Sequence, residues 1–451
     1  MTHVRHALAC ASSIVAIVLA CLALPAQAGV VVMHGYADYT SATLWVQTEG
    51  PATIALEVRG EDSVAPRRFA LEATQRTDYT ASLRVPGLSP GRTYAYRLTA
   101  GDETREGVLR TQRFAARPQQ APQLAIAFGS CHFMPYPDPA FTANVGGDYQ
   151  IFDAIASKSP DLMLWLGDNL YLQRPDFTDP TSMAAHYRQV RAFEPLQRLL
   201  TSTAHLAIWD DHDYGPNDSD RSYVFKDQTL GLFQRYWPNP SFGLPGVPGI
   251  FGWVHLADVD LFLLDDRFHR YPNRYPNVPE KSMFGAPQFE WLKEALLSST
   301  ARIKVVANGS QMWNRASRFE GLHQFPDEQK RLAQWLVEQK IDGVVFLSGD
   351  RHFGELLRIE RAGTYPVYEF TSSPLTYRAA ENLDATERNN PDVVQGTLRT
   401  QRQFGMLRVT GPSNARMLAF ESYDSNGTLL WRHAIAAADI RNARPPAGGE
   451  R

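Results

Sequence analysis

Leu162-Met163-Leu164-Trp165-Leu166-Gly167-Asp168-Asn169-Leu170-Tyr171 is an apolar run that stops on glycine and then delivers a carboxylate, an amide and a phenol in quick succession. A run this short, with no polar alternation, reads as a strand buried on both faces. The same arrangement recurs three times. Residues 124–128 lead into Gly129-Ser130-Cys131-His132, residues 206–209 into Asp210-Asp211-His212-Asp213, and residues 344–347 into Ser348-Gly349-Asp350-Arg351-His352. Further apolar runs at 261–264 and 303–307 alternate with amphipathic stretches at 183–190, 288–297 and 328–338, which predicts an α/β domain. From residue 365 onward, runs at 367–370, 405–409, 415–420 and 429–433 return the pattern to strands.

Each strand end has a plainer reading. Cys131 alone could be a small buried hydrophobe, Asp168 and Asp350 could cap following helices, and residues 210–218 could form a solvated turn. Four strand ends carrying ligand chemistry to the carboxyl edge of a sheet is a different matter, because that edge is where α/β sites form. Gly167 and Gly349 would let backbone approach closely there. Carboxylates crowded at one edge repel unless cations neutralise them, so the grouping argues for metal. Thiolate, phenolate and imidazole (Cys131, Tyr171, His352) suit a transition metal, whereas carboxylate and amide oxygens suit harder ions. Asp168 lies between the two classes.

The front of the chain has another rhythm. Residues 42–47, 53–58, 79–85 and 93–98 alternate with period two, and the turn at 88–97 feeds an aromatic strand as in the corner of an immunoglobulin or fibronectin III-like sandwich. The expected organisation is a signal peptide at 1–28, a small all-β sandwich at 29–114, a linker at 115–122, the α/β domain at 123–441 and a flexible tail at 442–451. The signal rests on Arg5, an uncharged stretch at 7–24 and Ala26-Gln27-Ala28, which predict a periplasmic or secreted protein with no membrane span after cleavage. Lipid anchoring through Cys21 is the alternative. Cys10 and Cys21 fall inside the signal, so Cys131 would be the one thiol of the exported chain and no internal disulfide could form. Forty-five Lys and Arg against 48 Asp and Glu leave a net charge of −3, which gives no surplus for holding nucleic acid by bulk charge.

Gly167-Asp168-Asn169-Leu170-Tyr171 matches the Gly-Asp-x-x-Tyr motif of purple-acid-phosphatase-like metallophosphatases. With residues 128–131, 209–213 and 347–352 in chain order behind a sandwich, the sequence resembles the PhoD-type alkaline phosphatases and phosphodiesterases. The resemblance implies an exported phosphoester hydrolase built on a layered α/β/β/α metallophosphoesterase domain, with a metal-activated hydroxide attacking phosphorus in line. It implies ferric iron and calcium, with magnesium, manganese or zinc as other candidates. Position by position, Cys131, Asp168, Tyr171 and His352 would surround iron, and Asp168, Asp211 and Asp350 would face the second metal. His212 stands where related enzymes keep a histidine that binds phosphate or protonates the leaving group. Asn217 is a phosphate or metal contact in the same loop, and Arg267 is either a phosphate clamp or the partner of its neighbouring acids. Where purple phosphatases carry Val-x-x-His, this chain carries Asn308-Gly309-Ser310-Gln311, so an oxygen ligand or none is expected. The signal lacks the twin-arginine pair of the family's type member, which leaves the metals open. The implied partner is a small phosphoester; no stable nucleic-acid partner is expected, and the sequence does not give the oligomeric state, a monomer being the favoured reading. Two competing readings are a cell-surface binding protein with a metal-stabilised, inactive phosphatase-like domain, and a nuclease-type phosphodiesterase.

Overall fold

Two large sheets face one another, and the apolar runs form their centres. In the computed structural model, which describes residues 29–61, 65–114, 121–136 and 145–442, the strands are β1 (Val31–Ala37), β2 (Ala42–Gln47), β3 (Ala52–Gly60), β4 (Arg67–Ala73), β5 (Thr80–Val85), β6 (Thr93–Ala100), β7 (Glu103–Arg110), β8 (Leu124–Gly129), β9 (Leu162–Leu166), β10 (Ala204–Ile208), β11 (Gly252–Leu256), β12 (Val259–Leu263), β13 (Ile303–Ala307), β14 (Val344–Ser348), β15 (Glu355–Ile359), β16 (Val367–Thr371), β17 (Gln403–Thr410), β18 (Met417–Asp424) and β19 (Leu429–Ala436). The helices are α1 (Ile151–Ser157), α2 (Pro180–Arg191), α3 (Gln197–Ser202), α4 (Asp211–Tyr214), α5 (Lys226–Tyr236), α6 (Gly285–Ser298), α7 (Pro326–Glu338) and α8 (Ala385–Arg388). The proposed signal peptide with Cys10 and Cys21, linker residues 115–120, loop residues 137–144 and the tail from 443 lie outside the described residues.

One sheet has nine strands in the order β19-β18-β17-β8-β9-β10-β1-β2-β5, and the other has six in the order β11-β12-β13-β14-β16-β15. Strands β8, β9 and β10 run parallel, as do β12, β13, β14 and β16. Every residue of β9, β12, β13, β14 and β16 is buried, as continuous apolar runs require. Alternation along β14 shows the layering. Val345 and Leu347 join Leu164, Leu166, Leu206 and Ile208 in the core between the sheets, while Val344 and Phe346 cluster with Phe289 and Leu292 of α6 and Leu332 and Leu336 of α7. Helices α1, α2, α3 and α5 contribute Ile151, Tyr187, Leu199 and Phe233 to the large core. The sequence also sets their starts: Asp179 caps α2 through the Thr181 N–H ahead of Pro180, and Pro326 opens α7 with Asp327 and Glu328 in its first turn.

The front block packs β1, β2 and β5 against a separate sheet, β4-β3-β6-β7, around Val32, Leu44, Val46, Ile54, Leu56, Val58 and Leu98. Its corner closes as the 88–97 turn predicts, with the Ser89 N–H donating to Tyr94 Oη at 2.7 Å. The block is also part of the main sheet. Strand β1 pairs in parallel with β10 through His34 and Ala204, so three strands of the sandwich extend the nine-stranded sheet. Side chains secure the junction: Trp45 Nε1 donates to the Arg235 carbonyl at 2.7 Å, Gln47 Nε2 to the Arg188 carbonyl at 3.1 Å, and Arg188 pairs with Asp78.

Candidate metal centre

The carboxyl ends of β8, β9, β10 and β14 meet at one place. Cys131 Sγ lies 3.5 Å from Asp168 Oδ2, Tyr171 Oη donates to the same oxygen at 3.1 Å, and Tyr171 Oη stands 3.3 Å from His352 Nε2. The other carboxylate oxygen, Asp168 Oδ1, accepts the His212 N–H at 3.2 Å. Cys131, Asp168, Asp350 and His352 all have positive φ, at 60°, 50°, 66° and 55°. Left-handed backbone at four non-glycine residues costs about 1–3 kcal/mol each and persists where surrounding structure enforces it, most often at functional sites. Gly167 and Gly349 permit the convergence. A Cβ on Gly167 would lie 2.6 Å from Asp210 Cβ, and one on Gly349 would lie 2.4 Å from Ser130 Oγ.

Three groups of donor atoms, each within 4.8 Å of one another, form a chain: Cys131, Asp168 and His352; Asp168, Asp211 and His212; Asp211, Asp218 and Glu320. Asp168 is shared by the first two and Asp211 by the last two. Cys131, Asp168, Asp211 and Tyr171 are buried, while His212, Asp350 and His352 are half-buried and form the open side. Tyr377 covers the sulfur end, its ring stacked on Tyr171 at 4.7 Å and tilted against His352 at 4.4 Å.

Negative charge dominates the centre. Burial pushes the Asp168 carboxyl well above the carboxylate range, and Asp211, Asp213 and Asp350 push it further. Burial lifts Asp350 to about 7 and likewise Asp213 to about 7. Burial, with Asp168 and Asp350, drives the Cys131 thiol up, and burial, with Asp168 and Cys131, does the same to the Tyr171 phenol. Asp211 goes the other way: burial raises it, but His212, Arg267 and the Asp218 N–H together hold it low. Burial depresses His352 to about 3 and lowers His212, leaving both imidazoles as neutral donors. His212 Nδ1 is buried with no hydrogen-bond partner among the described residues, as are Asp210 Oδ2 and Asn308 Oδ1. A buried, partnerless nitrogen inside a set of crowded carboxylates fits bound cations, which would supply both the missing contact and the missing charge. Sulfur and imidazole (Cys131, His352) meet Asp168 in one donor group with the Tyr171 phenol beside it, Asp168 and Asp211 meet the His212 imidazole in the next, and among the described residues the Asp350 carboxylate belongs to none of the three.

The structure places the remaining sequence candidates differently. Asn217 is exposed, one residue before Asp218, whose N–H ties the loop to Asp211 Oδ2 at 2.7 Å. Arg267 is fully buried and not available as a phosphate clamp: its guanidinium is committed to Asp210, with Nε at 2.6 Å, and to Glu320 Oε2 at 2.6 Å. Its sequence neighbour Asp265 instead accepts from Trp209 Nε1 at 2.8 Å and caps local backbone N–H groups. Asn308 stands beside Asp266, donating to Oδ2 at 3.1 Å. Asp218 and Glu320 were not singled out by the sequence. Asp218 was hidden in a turn-like stretch, and Glu320 arrives only through its pairing with Arg267 and Arg270. His186 and His205, with no motif support, are held by Asp176 and by Trp165 with the Leu199 carbonyl.

Residues 251–417 match the family model described as PhoD-like phosphatase, and residues 32–117 match a domain family of unknown function, DUF7800. Alkaline phosphatase D of Bacillus subtilis (strain 168) is 23% identical over 321 residues, which are 61% of this chain and 53% of that protein, so the match spans about half of the relative. A solved structure of PhoD superposes with a TM-score of 0.71 at 18% identity, covering 92% of each chain. A purple acid phosphatase from yellow lupin (Lupinus luteus) seeds superposes with a TM-score of 0.66 at 11% identity, covering 93% of this chain and 78% of that one. The matched segment holds His352 and Glu320, and the fold brings Cys131, Asp168, Tyr171 and Asp211 to them from outside it. Residues 251–417 are therefore similar to PhoD-like phosphatases, and the chain adopts the mixed α/β fold that PhoD and purple acid phosphatase share.

Proposed function

We propose that this chain is an exported, metal-dependent phosphoester hydrolase, acting on small phosphomonoesters or phosphodiesters in the periplasm or outside the cell. The observation that carries the reading is the sharing of Asp168 between a sulfur-containing donor group and a carboxylate-containing one, at the meeting point of strand ends far apart in sequence. Cys131, Asp168, Tyr171 and His352 would hold ferric iron, and Asp168, Asp211 and Asp350 would hold calcium or another hard divalent ion. Such a pair supplies Lewis acidity for the phosphate oxygens and an activated water for in-line attack. The residues of the chain do the rest. The His212 N–H fixes one Asp168 oxygen while Tyr171 fixes the other, so the shared carboxylate is oriented before any ligand arrives. The half-buried His212 imidazole would contact the phosphate, and on taking up a proton beside the bound anion it would pass that proton to the departing oxygen. Arg267 braces Asp210 and Glu320 behind the site.

The test is elemental analysis of the purified protein together with hydrolysis of a nitrophenyl monoester and its bis-ester, before and after chelation and with calcium added back. Stoichiometric metal with activity that chelation removes and calcium restores is expected, and Asp168→Ala should lose both metal and hydrolysis. Retained hydrolysis in that variant would sink the reading. Metal-free, inactive protein that no ion restores would favour a binding protein.

A further inference from the structure

The sulfur of Cys131 has two hydroxyls directed at it. Ser373 Oγ stands 3.1 Å from Sγ and Ser130 Oγ stands 3.4 Å from it, and all three residues are buried. The other contacts of each hydroxyl settle where its proton goes. The His352 N–H donates to Ser373 Oγ at 3.0 Å. A backbone N–H can only donate, so the serine oxygen accepts there and its single proton is left for the sulfur. In the same way the Asp350 N–H donates to Ser130 Oγ at 3.1 Å, but that hydroxyl divides its proton between Cys131 Sγ and the Ser372 carbonyl, 3.4 Å away. Backbone of the loop carrying Asp350 and His352 thus aims both serines at a sulfur supplied by a different strand end.

We propose that Ser373, assisted by Ser130, is a positioning residue that fixes Cys131 as an anionic sulfur donor and reduces the electron density it gives to a bound transition metal. The proposal rests on the metal-centre reading above. A hydrogen bond to an ionised acceptor is stronger than one to a neutral acceptor, and it stabilises the sulfur lone pairs that would otherwise be donated. Hydrogen bonding around a ligating cysteine is one of the means by which a protein tunes its metal. Losing such an outer partner weakens metal binding about 10- to 100-fold.

The experiment uses the full chain loaded with Co(II), whose sulfur-to-metal charge-transfer band reports directly on the thiolate. Ser373→Ala should move that band to longer wavelength and release cobalt to a chelator at about 10- to 100-fold lower chelator concentration. Ser130→Ala should shift it less and in the same direction, and Cys131→Ser should abolish it. A folded, cobalt-loaded Ser373→Ala protein whose band stays at the wild-type wavelength overturns the proposal and leaves the metal centre standing. If Ser373→Ala does not fold, Ser130→Ala carries the test, and an unmoved band there is equally fatal. A wild-type protein that takes up cobalt with no sulfur band overturns the assignment of Cys131 as a ligand, and the proposal with it.

Discussion

Buried carboxylates occur in two places with opposite character. Glu355 on β15 and Glu369 on β16 sit in adjacent strands of the six-stranded sheet, and the chain supplies donors to both. Glu355 Oε1 accepts from Gln311 Nε2 at 2.9 Å and Asn314 Nδ2 at 3.0 Å, while Glu369 accepts the backbone N–H groups of Met312 and Trp313 at 2.7 and 2.8 Å. Burial lifts their acids to about 8 and about 7, and neither belongs to any donor group that could hold an ion among the described residues. At the strand ends, Asp168, Asp210, Asp211, Asp213 and Asp350 crowd together, with Asp210 paired to Arg267, positive φ in the backbone and, among the described residues, partnerless atoms at Asp210, His212 and Asn308. Burial of acids alone therefore does not mark a site. Acids whose hydrogen bonds and charge the fold leaves incomplete do.

The comparison breaks first at Arg267, the cation that makes the strand-end cluster tolerable. Arg267→Met leaves Asp210 buried without its cation and Glu320 with Arg270 alone, and removing one member of a buried ion pair costs about 3–5 kcal/mol. Urea unfolding of the chelated protein should show that loss. A cost under about 1 kcal/mol, as at exposed pairs, would mean that the carboxylates relax by protonation instead.

Glu369 tests the self-satisfied pocket. Glu369→Leu strands two buried N–H groups, each costing about 1–3 kcal/mol when unsatisfied, so a loss of at least about 2 kcal/mol is expected, with metal content unchanged. Loss of metal in a protein that still folds would join the two regions and erase the distinction.

What could be read from the sequence follows the same division. Apolar runs that stop on glycine and ligand-type residues announced Cys131, Asp168, Tyr171, Asp211, Asp350 and His352, because in a parallel sheet the residue after the strand is placed by the strand itself. Glu320 lies in a loop with no periodicity, and only the distant pairing with Arg267 brings it in. Arg267 follows Asp265 and Asp266, and the local reading that pairs it with those acids holds for Asp266, at 3.7 Å, but its closest contact is Asp210, on another strand end. The sandwich strands were legible from their alternation. Their continuation into the main sheet was not, since the β1–β10 pairing is non-local and leaves no pattern in either segment.

The pH dependence of stability sharpens the pocket further. Both glutamic acids are raised in the folded protein above their ordinary value, so the folded state holds protons that the unfolded chain releases. Their contribution is full below about pH 4.5 and is lost as pH rises through about 7 and about 8, with a slope of up to about 1.4 kcal/mol per pH unit for each group. The urea midpoint of the chelated protein should fall between pH 5 and 8.5, and the Glu355→Gln/Glu369→Gln double variant should fall less steeply. Equal slopes would mean that the two acids ionise without cost.

The smallest effect expected has the most to say about the strand ends. If the fold tolerates Asp168 only for the sake of a ligand, then Asp168→Asn should make the chelated protein more stable, by about 1 kcal/mol, while destroying metal binding. The amide oxygen can still accept the His212 N–H, and a buried acid whose ionisation burial and its neighbours oppose is replaced by a neutral group. Metal should reverse the order, because a ligand that binds only the folded wild-type protein stabilises it by mass action. Thermal unfolding of both proteins with chelator and with added metal measures the two signs. An Asp168→Asn protein less stable than wild type even in chelator would place Asp168 with Glu369, as an acid the fold needs for itself, and would remove the energetic case for a ligand at the place where the four strand ends meet.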